Sequence, residues 1–371
     1  MSLTALLYGA ASAFASEAEP AAAYAAPRPD VPVAVPLDRT VPIEFAGAIP
    51  HIALLLPVKS GAFANAARAV REGFLSAAKV QGNVPLPIRI YAVSDEAEDI
   101  VTAYRNALAS GARLVVGPLT RNGVTAVADS DIVVVPTLAL NVPEGNLTLP
   151  PNLYSLNLQV ESEARQVARL ALKQGQLNAI TVYGDTPLLR RVHQAFVDEF
   201  LRSGGRHVAQ FPFSADPEML GHLKETALLG TADMAFLALD LPRARLARPY
   251  LDPLELYATS QVNPGDAGPL AGFDLTGVRF LDMPWLLQQD HPAVMIYPRH
   301  EFGGALDLQR LYALGIDAFR VGQALLTGTI GPALDGVTGR ITLGSDRRFV
   351  RELAATQFTG GKLVTPEPAR R

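Results

Sequence analysis

An α/β fold of two doubly wound parallel-sheet lobes is predicted by three features of the chain. Residues 52–79, IALLLPVKSGAFANAARAVREGFLSAAK, read as a buried strand, a turn and a helix. The same strand–helix alternation runs in two series, broken near residues 150–160. From residue 305 the pattern changes to one long helix and then hairpin material. A chain of that order is expected to return across the junction, so that each lobe is built from discontinuous segments.

The first unit sets the pattern. Residues 52–56 are a continuous apolar run ended by Pro57, as in a parallel strand covered on both faces. Lys59, Ser60 and Gly61 supply the turn. Phe63, Ala67, Val70, Phe74 and Ala77 then fall on one helix face, with Arg68, Arg71, Glu72 and Lys79 off it,. Further strands are expected at 88–93, 114–117 and 132–136, with helices at 99–110 and 122–128. The Pro/Gly/Asn-rich stretch 141–152 closes this series,.

The second series opens with a helix at 161–174, whose Ala164, Val167, Ala168 and Ala171 share a face. A strand at 179–183 follows, then a helix marked by Leu189, Val192, Phe196 and Phe200 and stopped by Gly204-Gly205,. Strands are expected at 207–211, 234–239, 256–259 and 278–281, with a helix at 217–228. The terminal part reads as a helix at 305–326, short strands at 336–343 and 349–352, and a hairpin end at 358–363,.

Composition narrows the function classes. At 371 residues two lobes are expected rather than one core,. The net charge of −4 leaves no basic excess for nucleic acid,. With no cysteine there is no disulfide, no thiolate metal site and no cysteine nucleophile,. No apolar run reaches the ~18 to 20 residues that span a bilayer. Residues 1–47 are expected to be a leader remnant and linker. LTALLYGAASAFA at 3–15 ends in Ala13-Phe14-Ala15 before Ser16, like the end of a secretory signal without its basic start,; the alternative is an inconsequential disordered start. Residues 18–36 hold seven alanines and five prolines. Extended at ~3.1 Å per residue, the 17–44 stretch reaches roughly 85 Å, as a tether or a floppy tail.

Catalytic patterns are missing from the sequence: no G-x-S-x-G, H-E-x-x-H, Walker-type or G-x-G-x-x-G stretch occurs,. The six histidines are scattered without ligand spacing, so no metal and no cofactor is expected,. What remains is a set of polar residues just after strand ends, where two α/β lobes face their cleft. In the first lobe these are Ser60, Gly61, Thr120, Thr137 and Asn141; in the second, Asp185, Asp240, Ser260 and Gln261. Hydroxyls and N–H groups at helix starts suit a ligand carboxylate, and an Asp suits an ammonium. The same residue types are the favoured helix N-caps, and sequence alone leaves both roles open. Trp285, the sole tryptophan, is either packed at the junction or displayed to a partner, with packing favoured,.

Several stretches together resemble a known family: LLLP at 54–57, AVREGF at 69–74, GARLVVGPL at 111–119, PTLALN at 136–141, ESEA at 161–164, YATS at 257–260, LTGVRFLDMPW at 275–285 and ALGIDAF at 313–319. The pattern is similar to the type I periplasmic-binding-protein fold and, more closely, to the LppC/LpoA lipoproteins that activate penicillin-binding proteins. The resemblance covers about residues 49–365. It implies a non-enzymatic periplasmic protein, held at the outer membrane, that docks on a class A penicillin-binding protein and stimulates peptidoglycan synthesis. It also implies three crossings between lobes, near 155–160, 282–290 and 334–338. The lobes expected are 48–155 with 290–335, and 156–289 with 336–371. Two departures stand out: the chain has no cysteine to carry a lipid anchor, and only about 48 residues precede the fold where longer activators carry a helical-repeat domain. The alternative function is a solute receptor binding an amino acid or similar small polar ligand in the cleft; an enzyme on the same fold ranks third.

Overall fold

The computed structural model describes residues 48–365, apart from 146, 266–267 and 269–270. The leader and linker expectations therefore lie outside the described residues. In chain order the first series is β1 (His51–Leu56), α1 (Ala64–Gln81), β2 (Ile88–Ala92), α2 (Ala97–Ala109), β3 (Ala112–Val116), α3 (Arg121–Ala128), β4 (Thr137–Ala139) and β5 (Leu153–Ser155). These strands form a parallel five-stranded sheet in the order β2-β1-β3-β4-β5. The second series is α4 (Val160–Lys173), β6 (Asn178–Tyr183), α5 (Pro187–Arg202), β7 (Arg206–Pro212), α6 (Pro217–Leu228), β8 (Met234–Ala238), α7 (Leu241–Ala247), β9 (Glu255–Ala258) and β10 (Arg279–Asp282).

The closing part holds α8 (Pro284–Leu287), α9 (Pro292–Met295), α10 (Leu306–Thr327), β11 (Leu334–Gly336), β12 (Gly339–Leu343), β13 (Phe349–Glu352), β14 (Ala354–Thr359) and β15 (Lys362–Val364). Strands β14 and β15 join the second sheet antiparallel, giving the order β15-β14-β10-β9-β8-β6-β7. Strands β11 to β13 form a small antiparallel sheet of their own. The two doubly wound lobes and the return of the chain thus follow the expected plan.

Some elements differ from the sequence reading. The fourth strand is Thr137–Ala139, not 132–136. Pro136 has no N–H to give, and the ladder starts where its carbonyl accepts the Val115 N–H at 3.1 Å,. Strand β5 has only three residues, directly after the 141–152 stretch that reads as loop, and the sequence reading placed no strand there. Phe63 is 40% exposed because it precedes α1 and so lies outside the helix periodicity. Trp285, Val337, Ile341 and Phe349 pack with the first lobe's core, although segments 283–289 and 336–353 read from sequence as parts of the second. The short three-stranded sheet covers α10 before the chain leaves, so the last passage to the second sheet comes at Leu353 rather than near 336.

Helix α10 carries the first lobe's closure. Residues 312–319 are all buried, because α1, the first sheet and the small sheet surround them,. Two glycines set how close α1 and α10 come. A Cβ on Gly73 would sit 1.9 Å from the Tyr312 carbonyl oxygen, and one on Gly315 would sit 2.1 Å from that of Val70. Backbone cannot yield as a side-chain tip can. Gly315→Ala is therefore expected to destabilise by roughly 2 kcal/mol, read as a lower urea midpoint. An unchanged midpoint would show that the helices can separate freely.

Candidate functional site

The carboxyl ends of the parallel strands carry most of the candidate residues, and the structure gives several of them a local partner. Ser60 is buried; its Oγ accepts the Phe63 N–H at 3.2 Å and its carbonyl accepts that of Ala64 at 3.1 Å, which closes the turn into α1. Gly61 is exposed, with no atom within 4 Å of a Cβ placed there. Thr120 stands at the start of α3, and its Oγ1 is buried without a partner among the described residues. Thr137 is inside the core, where its hydroxyl meets the Tyr104 hydroxyl at 2.6 Å. Asn141 ties two loops by donating to the Leu119 carbonyl at 3.0 Å and accepting the Val142 N–H at 3.0 Å.

In the second lobe, Asp240 caps α7 by accepting the Arg243 N–H at 3.1 Å, and the Arg243 guanidinium pairs with both Asp240 and Asp185. Ser260 is buried, whereas Gln261 is half-buried with no side-chain hydrogen bond to a described residue. The structure thus joins Thr120's loop to Asn141, and Asp185 to Asp240. No hydrogen bond between described residues joins a first-lobe candidate to a second-lobe one.

What does cross the junction is a buried ionic network that the sequence reading missed. Arg310, near the start of α10, reaches the carboxyl edge of the second sheet. Its Nη2 donates to Asp282 Oδ2 at 2.9 Å and to the Ser260 carbonyl at 3.1 Å, and its Nη1 pairs with Asp307 at 3.0 Å. Asp282, at the end of β10, also accepts from Asn263 Nδ2 at 2.8 Å and from the Met283 N–H at 2.8 Å. Glu163, in the first turn of α4, accepts the Ser260 N–H at 3.2 Å. Arg351 donates to the carbonyls of Asn157 at 2.8 Å, on the segment between β5 and α4, and of Thr338 at 3.0 Å, in the turn of the small sheet. Asp317 of α10 accepts both N–H groups of Val337 and Thr338, the Thr338 hydroxyl and Arg320.

Burial dominates the electrostatics here. It pushes the Glu163 carboxyl up to about 7, with the neighbouring Asp282 charge adding to the rise and Ser260, Arg351 and Arg310 opposing it. Burial also raises Asp317, against the pull of Arg320 and its hydrogen bonds. It lowers Arg351. Arg310 loses solvent too, but Asp282 beside it holds the guanidinium more firmly charged than usual. A cationic group from a helix of one lobe is thus seated, buried and charge-paired, at the strand ends of the other.

The sequence offered one usable signal for this network. Asp317 interrupts the apolar run ALGIDAF, all of which is buried, and an ionisable residue on an apolar face demands a partner. Arg310 carries no such mark. Elsewhere, His193 and His207 share the Thr181 hydroxyl at 2.9 and 3.0 Å, and burial lowers both imidazoles, His193 to about 4. No group of three or more His, Asp or Glu among the described residues could hold a metal ion. Trp285 is packed: its Nε1 donates to Gln309 at 3.0 Å and the Arg299 guanidinium lies 4.0 Å over its ring.

Comparison with known proteins sets this geometry in context. The family described as "LppC putative lipoprotein" matches residues 44–225 and 233–361. Penicillin-binding protein activator LpoA of Pantoea ananatis (strain LMG 20103) is 28% identical over 324 residues, which cover 75% of this chain and 47% of that protein. LpoA of Klebsiella pneumoniae subsp. pneumoniae is 29% identical over 298 residues, covering 68% and 41%. The chain therefore spans a little under half the length of these curated relatives. A solved structure from Chromobacterium violaceum, named as a putative branched-chain amino acid ABC transporter, aligns with a TM-score of 0.72 at 40% identity, covering 84% of this chain and 100% of that one. The LpoA C-domain of Haemophilus influenzae, a regulator of PBP1A, aligns with a TM-score of 0.73 at 22% identity, covering 85% and 100%. The architecture is that of type I periplasmic binding proteins, and with the family matching most of its length this chain belongs to the LppC family.

Proposed function

We propose that this chain is a non-enzymatic periplasmic domain that docks on a class A penicillin-binding protein and activates it, in a native form anchored at the outer membrane through a lipid. Family membership and the activator names of the curated relatives support the partner. The observation that carries the reading on the structural side is the Arg310–Asp282 pair with Glu163 and Arg351 around it. A receptor needs an open polar cleft that closes on solute; in the activator reading the buried pair across the junction holds the two lobes together without a solute. A rigid two-lobe body with a fixed outer surface suits a docking protein.

The second reading, a solute receptor, draws on the name of the Chromobacterium violaceum structure and its 40% identity. In that reading Ser60, Gly61, Thr120, Thr137, Asn141, Asp185, Asp240, Ser260 and Gln261 supply the ligand contacts. One experiment separates the two. The purified domain is added to a class A penicillin-binding protein in a glycan-polymerisation assay, and its denatured extract is searched for a released small molecule. Faster polymerisation with no released solute is expected. No effect on the synthase, with an amino acid recovered in stoichiometric amount, would transfer the assignment to the receptor.

A further inference from the structure

We infer that a second, lateral cavity between the lobes binds a small molecule bearing carboxylate or phosphate groups. The cavity has a volume of about 370 Å³ and lies between the loop after β4 and helices α4 and α5. None of the candidates read from the strand ends lines it. Four arginines do: Arg121 at the first position of α3, Arg165 on α4, Arg191 on α5 and Arg348 in the β12–β13 loop. Only two carboxylates, Glu161 and Asp198, accompany them.

The arginines outnumber the carboxylates even with Asp346, next to Arg348, counted beside Glu161 and Asp198. Arg191 is taken by Glu161 at 2.8 Å, and Asp198 accepts from Gln194 at 2.7 Å. Arg348 is anchored by Nη2 on the Leu147 carbonyl at 3.0 Å and by Nη1 near Asp346 at 3.8 Å, which leaves its Nε buried without a partner among the described residues. The Arg121 and Arg165 guanidinium groups have no hydrogen bond or ion pair with a described residue. Like charges converging on a concave space repel, and their summed field draws an anion there. Guanidinium forks match carboxylate and phosphate oxygens two at a time. The volume falls at the small end of the ~300–1,000 Å³ typical of ligand pockets. Arg121 and Arg348 belong to the first lobe's side and Arg165 and Arg191 to the second's, so an anion here would bridge the lobes outside the ionic lock. This inference does not depend on the activator reading.

The test is calorimetry of the whole chain with pyrophosphate and with citrate, each at ionic strength matched with sodium chloride. Saturable binding of at least one of them, with one site per chain, is expected. Arg121→Gln with Arg165→Gln should weaken it roughly tenfold or more. Arg105→Ala with Arg206→Ala, two exposed arginines away from the cavity, should leave it unchanged. Preference for pyrophosphate would assign a phosphate-bearing ligand, and preference for citrate a carboxylate. No saturable binding of either anion by the unaltered chain overturns the inference. So does equal weakening in both double variants, which would reduce the effect to net charge.

Discussion

Arg310→Met is expected to cost about 3–5 kcal/mol of folding stability, because it leaves Asp282 buried with no opposite charge. Asp282 is 1% exposed, so solvent cannot replace the lost guanidinium. Asn263 and the Met283 N–H remain as donors to it, which keeps the loss finite. The Ser260 carbonyl loses a donor at the same time. The comparison that gives the number meaning is Arg310→Met with Asp282→Leu. Removing both charges removes the desolvation cost as well as the attraction, and an apolar pair of similar volume is often neutral. The double variant should therefore recover most of the stability that the single one loses, measured by urea unfolding at pH 7.5. It should also let the lobes move: small-angle scattering of the double variant is expected to show a wider spread of conformations than the unaltered chain. A single variant as stable as the unaltered chain would mean that the pair is solvated in solution and is no lock.

The sequence made the repeated strand–helix units legible because they rest on local rules. Apolar runs such as 52–56 and the 3.6-residue spacing of Ala67, Val70, Phe74 and Ala77 are visible without any partner, and all of these residues are buried. The helix at 217–228 needed only Asp216 as cap and Pro217 behind it, and both play those parts,. The passage of residues 336–353 was harder. Short strands β11 to β13 could have extended either sheet by their own pattern, and only long-range packing of Val337, Ile341 and Phe349 decides where they lie.

The candidate site was less legible still, for a related reason. Ser, Thr, Asn and Asp after a strand end serve capping and binding with the same atoms. Asp240 shows how completely the local role can occupy a side chain: one oxygen takes the Arg243 N–H and the other its guanidinium. The ionic network is assembled from α4, the segment after β9, β10, α10 and β13, separated by up to 188 residues from Glu163 to Arg351. No spacing rule connects such positions. The lateral arginines are likewise scattered from 121 to 348, and they meet only because the chain returns across the junction.

Glu163→Gln should stabilise the protein at pH 7.5 by about 3 kcal/mol and change little at pH 5. The sign follows from the proton balance. A carboxyl with an ordinary value of 4.5 is pushed to about 7 by burial and by Asp282. Between those two values the folded chain holds a proton there that the unfolded chain has released. Stability from this group is fully present below about 4.5, falls as pH rises through the window and is level above about 7. Glutamine imitates the protonated form: it keeps an oxygen to accept the Ser260 N–H and carries no charge to desolvate. The unaltered chain alone would mask the effect. His193 is lowered from 6.5 to about 4 by burial and by His207, and His51 and His207 are lowered as well. Each of those imidazoles holds its proton less firmly in the fold than in the unfolded chain, so their contribution rises with pH,. The two slopes oppose, and the total profile is expected to be shallow. Urea unfolding of both chains at pH 5 and pH 7.5 isolates the carboxyl, since the histidines cancel in the difference. A stability difference between the two chains that is the same at both pH values would show that Glu163 is charged in the fold. Arg310 and Arg351 would then outweigh burial, and the junction would be a balanced set of ion pairs rather than a lock carrying one proton.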